Sequence, residues 1–186
     1  MTNPRGVKVF GMWLFVMSDL LTFATLLVCY SVLRFANGEW LRPFALQPAI
    51  VFSTVMTVVL LASSLTMVWA VAAMKEGDRG VTAKWLGATI LGGIVFIGLH
   101  LTEWNHLVHA SAITPATLFG SVFFAVTGLH LAHVAGGVIY VSVLAAGVAR
   151  GKFNEEDIET GGLYWHFVDL VWMFVFPLVY LMAVQS

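Results

Sequence analysis

Apolar residues run in five long blocks separated by short polar interruptions. The blocks extend from Phe10 to Leu33, Pro48 to Met74, Trp85 to His106, Leu118 to Val148 and Leu163 to Val184. Each is near or above the ~20 residues that cross a bilayer as a helix. The first block is longer than the ~7–15-residue core of a secretory signal, so it reads as the first span. Val and Ile abound, yet backbone chemistry requires helices. In lipid every N–H and C=O must pair inside the protein, and five short spans cannot close a barrel. The pattern predicts an all-α, polytopic membrane bundle of five transmembrane helices, a single membrane domain over 1–186.

The interruptions agree with that division. Pro43 and Pro48 flank the first long loop, and Pro48 suits a helix start. Lys75-Glu76-Gly77-Asp78-Arg79-Gly80 reads as a polar turn, and Thr114-Pro115-Ala116-Thr117 opens the fourth span. Gly151 to Thr160 carries four acids after the basic Arg150 and beside Lys152, and reads as a solvated loop. Pro177 is expected to kink the last helix about one turn upstream, because proline cannot pair with the carbonyl there. Ser63-Ser64, Ala88 with Gly92, and Gly136-Gly137 are small enough to let neighbouring helices approach closely.

Composition strengthens the membrane reading. The 186 residues are 60% hydrophobic and 10% charged, against about 25% charged in soluble domains. A net charge of −1 gives no reason to expect nucleic acid as a partner. Cys29 is the single cysteine, which excludes an intrachain disulfide and a Cys-x-x-Cys metal site. It reads as a small buried hydrophobe. With the N-terminus cytoplasmic, that side collects Arg5, Lys8, Lys75, Arg79, Lys84, Arg150 and Lys152, and the other side only Arg34 and Arg42. This is the positive-inside bias, and it puts the C-terminus outside.

Several ionisable residues fall inside the apolar blocks, where even a lenient scale charges about 2.5–3.5 kcal/mol for a central Asp. They are Asp19, Glu103, His130, His133, His166 and Asp169, with His100 three residues before Glu103. The pairs His100/Glu103, His130/His133 and His166/Asp169 each share a helix face. Three readings compete. Metal or haem ligation would draw on histidines such as His133 and His166, but the repeated Glu-x-x-His set of di-iron bundles is missing. A proton path would draw on the acids. A structural role, joining helices to one another, to a partner or to lipid headgroups, needs no cofactor and is preferred. No nucleophile triad, phosphate loop or dinucleotide motif is present; Gly92-Gly93 lacks a third glycine and follows no strand.

Five segments then carry a specific resemblance. Tyr164-Trp165-His166-Phe167-Val168-Asp169-Leu170-Val171-Trp172 resembles the C-terminal signature of subunit III of the haem–copper oxidases, both cytochrome c and quinol oxidases. Thr127 to Gly137, Leu60 to Ser64, Gly98 to Trp104 and Gly11 to Asp19 are similar to further blocks of that family, in family order and on all five spans. Asp19 stands where the family usually has glutamate, and His100 where it usually has glutamine. The chain resembles the short five-helix form; longer members have two more helices at the front, here absent or supplied by another subunit.

The resemblance implies a non-catalytic subunit with no active site of its own. It implies that haem and copper lie in partner subunits and none in this chain. Oxidase subunit I, the catalytic one, and other oxidase subunits are the implied partners, with membrane lipids and bound phospholipid around them. The implied role is to support the catalytic subunit and sustain proton uptake during oxygen reduction, in the bacterial cytoplasmic membrane. By the same resemblance Asp19 and His133 are lipid- or interface-facing polar sites, and Arg150 and Lys152 meet phosphate groups, which also agrees with electrostatics at an anionic surface. His100, Glu103, His130, His166 and Asp169 remain structural. The alternatives are a subunit III-like accessory of a nitric-oxide reductase, or a small transporter or proton channel using Asp19, Glu103 and Asp169. A compartment-sensitive reporter fused after Ser186 checks the topology: it should report the non-cytoplasmic side, and a cytoplasmic signal would overturn both the orientation and the odd number of spans.

Overall fold

The computed structural model describes residues 6–38, 40, 50–109 and 113–183. Five helices are present among them: α1 Val7–Ala36, α2 Val51–Lys75, α3 Arg79–His109, α4 Leu118–Ala149 and α5 Glu155–Val175. A π-helical turn, Phe176–Tyr180, and a 3-10 turn, Leu181–Ala183, continue α5. All five are long and apolar enough to span a membrane. The predicted start at Pro48 and end at Val184 lie outside the described residues, as do Arg5, Arg42 and Pro43.

Local chemistry sets the boundaries. Gly77 adopts φ +82° behind α2, a conformation glycine enters without steric cost. Asp78 then caps α3, its Oδ1 accepting from Val81 N at 2.9 Å. The turn is therefore shorter than the polar run suggested, and α3 begins six residues before Trp85. Thr117 caps α4 by accepting from Gly120 N at 3.1 Å, at the expected start.

The solvated loop expected over Gly151 to Thr160 is corrected. Helix α5 begins at Glu155, inside that stretch. Asn154 accepts from Asp157 N at 3.2 Å and Asp157 accepts from Asn154 N at 3.0 Å, a reciprocal capping box. Glu155, Glu156 and Asp157 occupy the first turn, where carboxylates meet the positive end of the helix dipole. The acids that read as solvated loop are a helix start. Around Pro177 the pairing changes: α-helical pairing lasts to Val175, and a wider, π-helical turn begins at Phe176.

Packing is unequal among the helices. Helix α5 is the hub, touching α1, α2 and α4, while α3 lies between α2 and α4. Helix α1 buries only Val16, Phe23 and Tyr30, spaced seven apart. That spacing is a single seam, so the rest of α1 faces outward. Cys29 lies on that outward surface and is exposed, which corrects the reading of a buried thiol.

The core is closed by glycine against tryptophan. A methyl group on Gly93 would stand 2.6 Å from both Trp165 Cη2 and Val138 Cγ2. One on Gly137 would stand 3.0 Å from Cε3 and Cζ3 of the same indole. Trp165 thus lies in a slot between α3 and α4, 1% exposed. Gly92 permits a similar approach to Ser63 on α2, where its added methyl would meet Cβ at 2.6 Å. Gly161 and Gly162 on α5 do the same against Leu144 and Val71. Gly93→Ala is expected to destabilise the subunit by about 1–3 kcal/mol through overpacking. Gly98→Ala, which meets nothing within 4 Å on the same helix, should be neutral or slightly stabilising. Thermal denaturation of the two purified variants checks the difference.

Candidate functional site

The seam that holds α1 places Asp19 against α4. His133 Nε2 stands 3.1 Å from Asp19 Oδ2. His133 Nδ1 lies 2.8 Å from the carbonyl oxygen of Leu129, and since that oxygen can only accept, Nδ1 carries the hydrogen. The contact between Nε2 and the carboxyl gives each ionisable side chain a partner within the span, which offsets the cost of placing it there. The side chains remain 18% and 21% exposed, so the pair sits at the edge of the bundle. Phe23 packs edge-on against His133, with ring centroids 5.1 Å apart. Tyr164 OH donates to the His133 carbonyl at 3.1 Å.

A second ionic contact fixes the same helix at its start. Lys8 Nζ lies 2.6 Å from Asp157 Oδ1, and Gly6 N donates to Glu156 Oε1 at 2.6 Å. The beginnings of α1 and α5 therefore share one end of the bundle. Asp157 thus serves both the capping box and the tether.

Glu103 is held differently. It is 6% exposed and accepts from Ser53 Oγ and from Tyr180 OH, each at 2.8 Å. This carboxyl joins α3 to α2 and to the turn after α5. Sequence spacing had put Glu103 with His100, but its partners come from elsewhere in the chain. Nothing local in the sequence distinguishes Ser53 and Tyr180 from other polar residues near span ends.

Helix α5 also meets a row of hydroxyls on α2. Trp165 Nε1 donates to Ser63 Oγ at 3.2 Å, and Trp172 Nε1 donates to Thr57 Oγ1 at 3.0 Å. Ser64 Oγ and His166 Nδ1 are 2.6 Å apart. Asp169 is buried beside this row, and its Oδ1 has no hydrogen-bond partner among the described residues.

His100 and His130 are fully buried. His130 stacks on Trp172 with centroids 5.0 Å apart and planes at 27°. His100 stacks on Phe96 at 5.7 Å and meets Trp172 edge-on at 5.6 Å. None of their four ring nitrogens has a hydrogen-bond partner among the described residues. Their role in the fold is aromatic packing between α3, α4 and α5. His130 and His133, about 60° apart on their helix, therefore serve different surroundings: one the core, the other α1. Arg150 and Lys152 are exposed at the end of α4, where their N–H groups pair with Ala146 O at 3.3 Å and Gly147 O at 2.9 Å. Among the described residues no group of three or more His, Cys, Asp or Glu side chains is placed to hold a metal. His133 and His166, the pair that haem ligation would have used, are each engaged by a different side chain.

The chain matches the family model described as cytochrome c oxidase subunit III over residues 1–184. A Bacillus subtilis protein named cytochrome c oxidase subunit 3 is 38% identical over 181 residues, covering 95% of this chain and 86% of the relative. A Pseudomonas aeruginosa protein named cytochrome bo(3) ubiquinol oxidase subunit 3 is 36% identical over 186 residues, covering 97% and 88%. The quinol oxidase subunit 3 of Bacillus subtilis is 33% identical over 180 residues, covering 95% and 88%.

Asp19→Glu should retain the contact with His133, whereas Asp19→Leu should cost about 1–3 kcal/mol by leaving a half-buried imidazole unpaired. His133→Phe removes that imidazole, so the double variant Asp19→Leu/His133→Phe should lose less than the sum of the singles. Melting temperatures of the parent and the four variants check this; strict additivity would show that the pair is uncoupled.

Proposed function

The chain belongs to the cytochrome c oxidase subunit III family, the non-catalytic third subunit of haem–copper oxidases, and from that premise we propose that it braces the flank of the catalytic subunit I. In this reading oxygen reduction, haem and copper belong to the partner subunits. This chain keeps water and lipid in order beside them and sustains proton uptake through many turnovers. It resides in the bacterial cytoplasmic membrane with its N-terminus on the cytoplasmic side.

The observation that carries the reading is the outward surface of α1. Only a seam of three residues is buried, and Phe10, Leu14, Met17, Leu21 and Phe35 are exposed in this chain. At the edge of that surface lies the partly exposed pair Asp19–His133. An apolar face interrupted by one mutually paired acid and histidine suits a permanent contact with another membrane protein or its boundary lipid, where a lone charge would be costly. The clustering of Lys8 with the starts of α1 and α5 supports the proposed orientation, because those helix starts then share the basic, cytoplasmic end. The exposure of Arg150 and Lys152 at the end of α4 supports a role in meeting lipid phosphates.

Purification of the oxidase with and without this chain, followed by oxygen uptake over prolonged turnover, tests the proposal. Normal initial haem spectra with progressive loss of activity are expected from the complex lacking it. Immediate loss of every metal centre would assign the chain to assembly instead. Undiminished activity and proton pumping would remove the bracing role.

A further inference from the structure

A groove of about 370 Å³ opens between α2 and α5. Its two banks carry matched rows: Val68, Ala72 and Lys75 on α2, and Glu159, Leu163 and His166 on α5. Each row steps by four residues and then by three, the spacing at which a helix presents one seam to a neighbouring helix. Both rows continue along the span, through exposed Leu65 and Leu61 on α2 and exposed Leu170 and Met173 on α5. The face is as long as a helix contact needs, since Leu61 to Lys75 alone spans about 21 Å. Gly162 lines the groove as well, and a residue without a side chain lets another backbone approach.

Apolar banks alone would suit acyl chains, but the polar group on this face does not. His166 lies about 16 Å along α5 from its start at Glu155, roughly half of a ~30 Å hydrocarbon core. Its Nδ1 is engaged by Ser64 Oγ at 2.6 Å, and its Nε2 has no hydrogen-bond partner among the described residues. Asp169, 8% exposed, lies beside the same serine, and its Oδ1 also lacks a partner among them. At that depth neither water nor a headgroup satisfies a ring nitrogen, and acyl chains cannot hydrogen-bond. A polar side chain on another protein helix can.

We propose that the α2/α5 groove seats one transmembrane helix of a partner oxidase subunit, and that this helix brings a hydroxyl-bearing side chain, serine, threonine or tyrosine, to His166 Nε2. A hydroxyl both donates and accepts, so it pairs with Nε2 whichever way the hydrogen between Ser64 and His166 points. Lys75 and Glu159, neither in an ion pair among the described residues, offer the partner one contact of each sign at the end of the groove. The proposal rests on the reading of this chain as an oxidase subunit. No residue of α1 lines the groove, so it is a second face, distinct from the α1 flank.

The test uses the complete oxidase in its native membrane, with the photo-crosslinker p-benzoyl-phenylalanine at Val68 or Ala72. Both positions are exposed, so the probe enters without disturbing the core. Leu91 on α3, exposed and outside the groove, sets the background, and peptide mass spectrometry identifies each adduct. Either groove position should give an adduct with a transmembrane segment of another oxidase subunit, well above the yield at Leu91. Adducts with lipid alone, with a second copy of this chain, or no more abundant than at Leu91 overturn the proposal. The same probe at Leu14 on α1 reads the flank separately, so either face can fail while the other stands. His166→Leu should lower retention of the crosslinked subunit through detergent purification about threefold, the average worth of one hydrogen bond between membrane helices. His166→Gln, which keeps a donor and an acceptor, should retain it like the parent. Retention by His166→Leu equal to the parent overturns the hydroxyl contact.

Discussion

The bundle depends on one indole. Trp165 of α5 is clamped between Gly93 of α3 and Gly137 of α4 and reaches Ser63 of α2 with its only N–H. Four helices are thereby set in register by a single rigid side chain. In lipid there is little hydrophobic gain in bringing helices together, because acyl chains are as apolar as leucine. Close packing and hydrogen bonds must supply the association, and an indole in a glycine slot supplies both. The consequence runs outward from that slot. With Trp165 fixed, Trp172, seven residues on, falls against Thr57 and between His100 and His130. Tyr164, one residue before, turns towards His133 and α1.

Helix α1 is attached by another logic. It lacks a broad buried face and is held at separated points along one seam: Lys8 on Asp157 near the aqueous boundary, Asp19 on His133 further in, and beyond them Tyr30 against Trp40, which packs on Phe119 of α4. Polar contacts in this setting act as locators more than as a source of large stabilisation. Hydrogen bonds between membrane helices average well below 1 kcal/mol by double-mutant cycles, about 0.6. Their value is that a slipped or rotated α1 would strand an acid in lipid. The arrangement leaves the outer surface of α1 free of structural duty inside the chain, which is what a helix committed to a neighbouring subunit or its lipid requires.

Much of this was legible in the sequence for a physical reason. Lipid removes the usual freedom of secondary structure, so block length alone decided that the chain forms five spanning helices, and the run from Tyr164 to Trp172 identified the family. Caps were less legible. Asn154 and the acids after it carry a helix-start signature, but charge density masked it as a loop. The intramembrane acids and histidines could be found as costly residues without any knowledge of their partners. The partners were a tertiary decision. Glu103 is separated from Ser53 and Tyr180 by 50 and 77 positions, and Asp19 from His133 by 114. Periodicity gives only the face a residue occupies on its own helix. It put His130 beside His133 and His100 beside Glu103, yet helix rotation sent one of each pair to an aromatic core and the other to a polar contact. The sequence by itself determined the spans, the family and which residues must find partners in the membrane. Only the packed bundle decided which partner each received, because that choice depends on the mutual rotation and depth of helices far apart in the chain, and the glycine slot around Trp165 sets both.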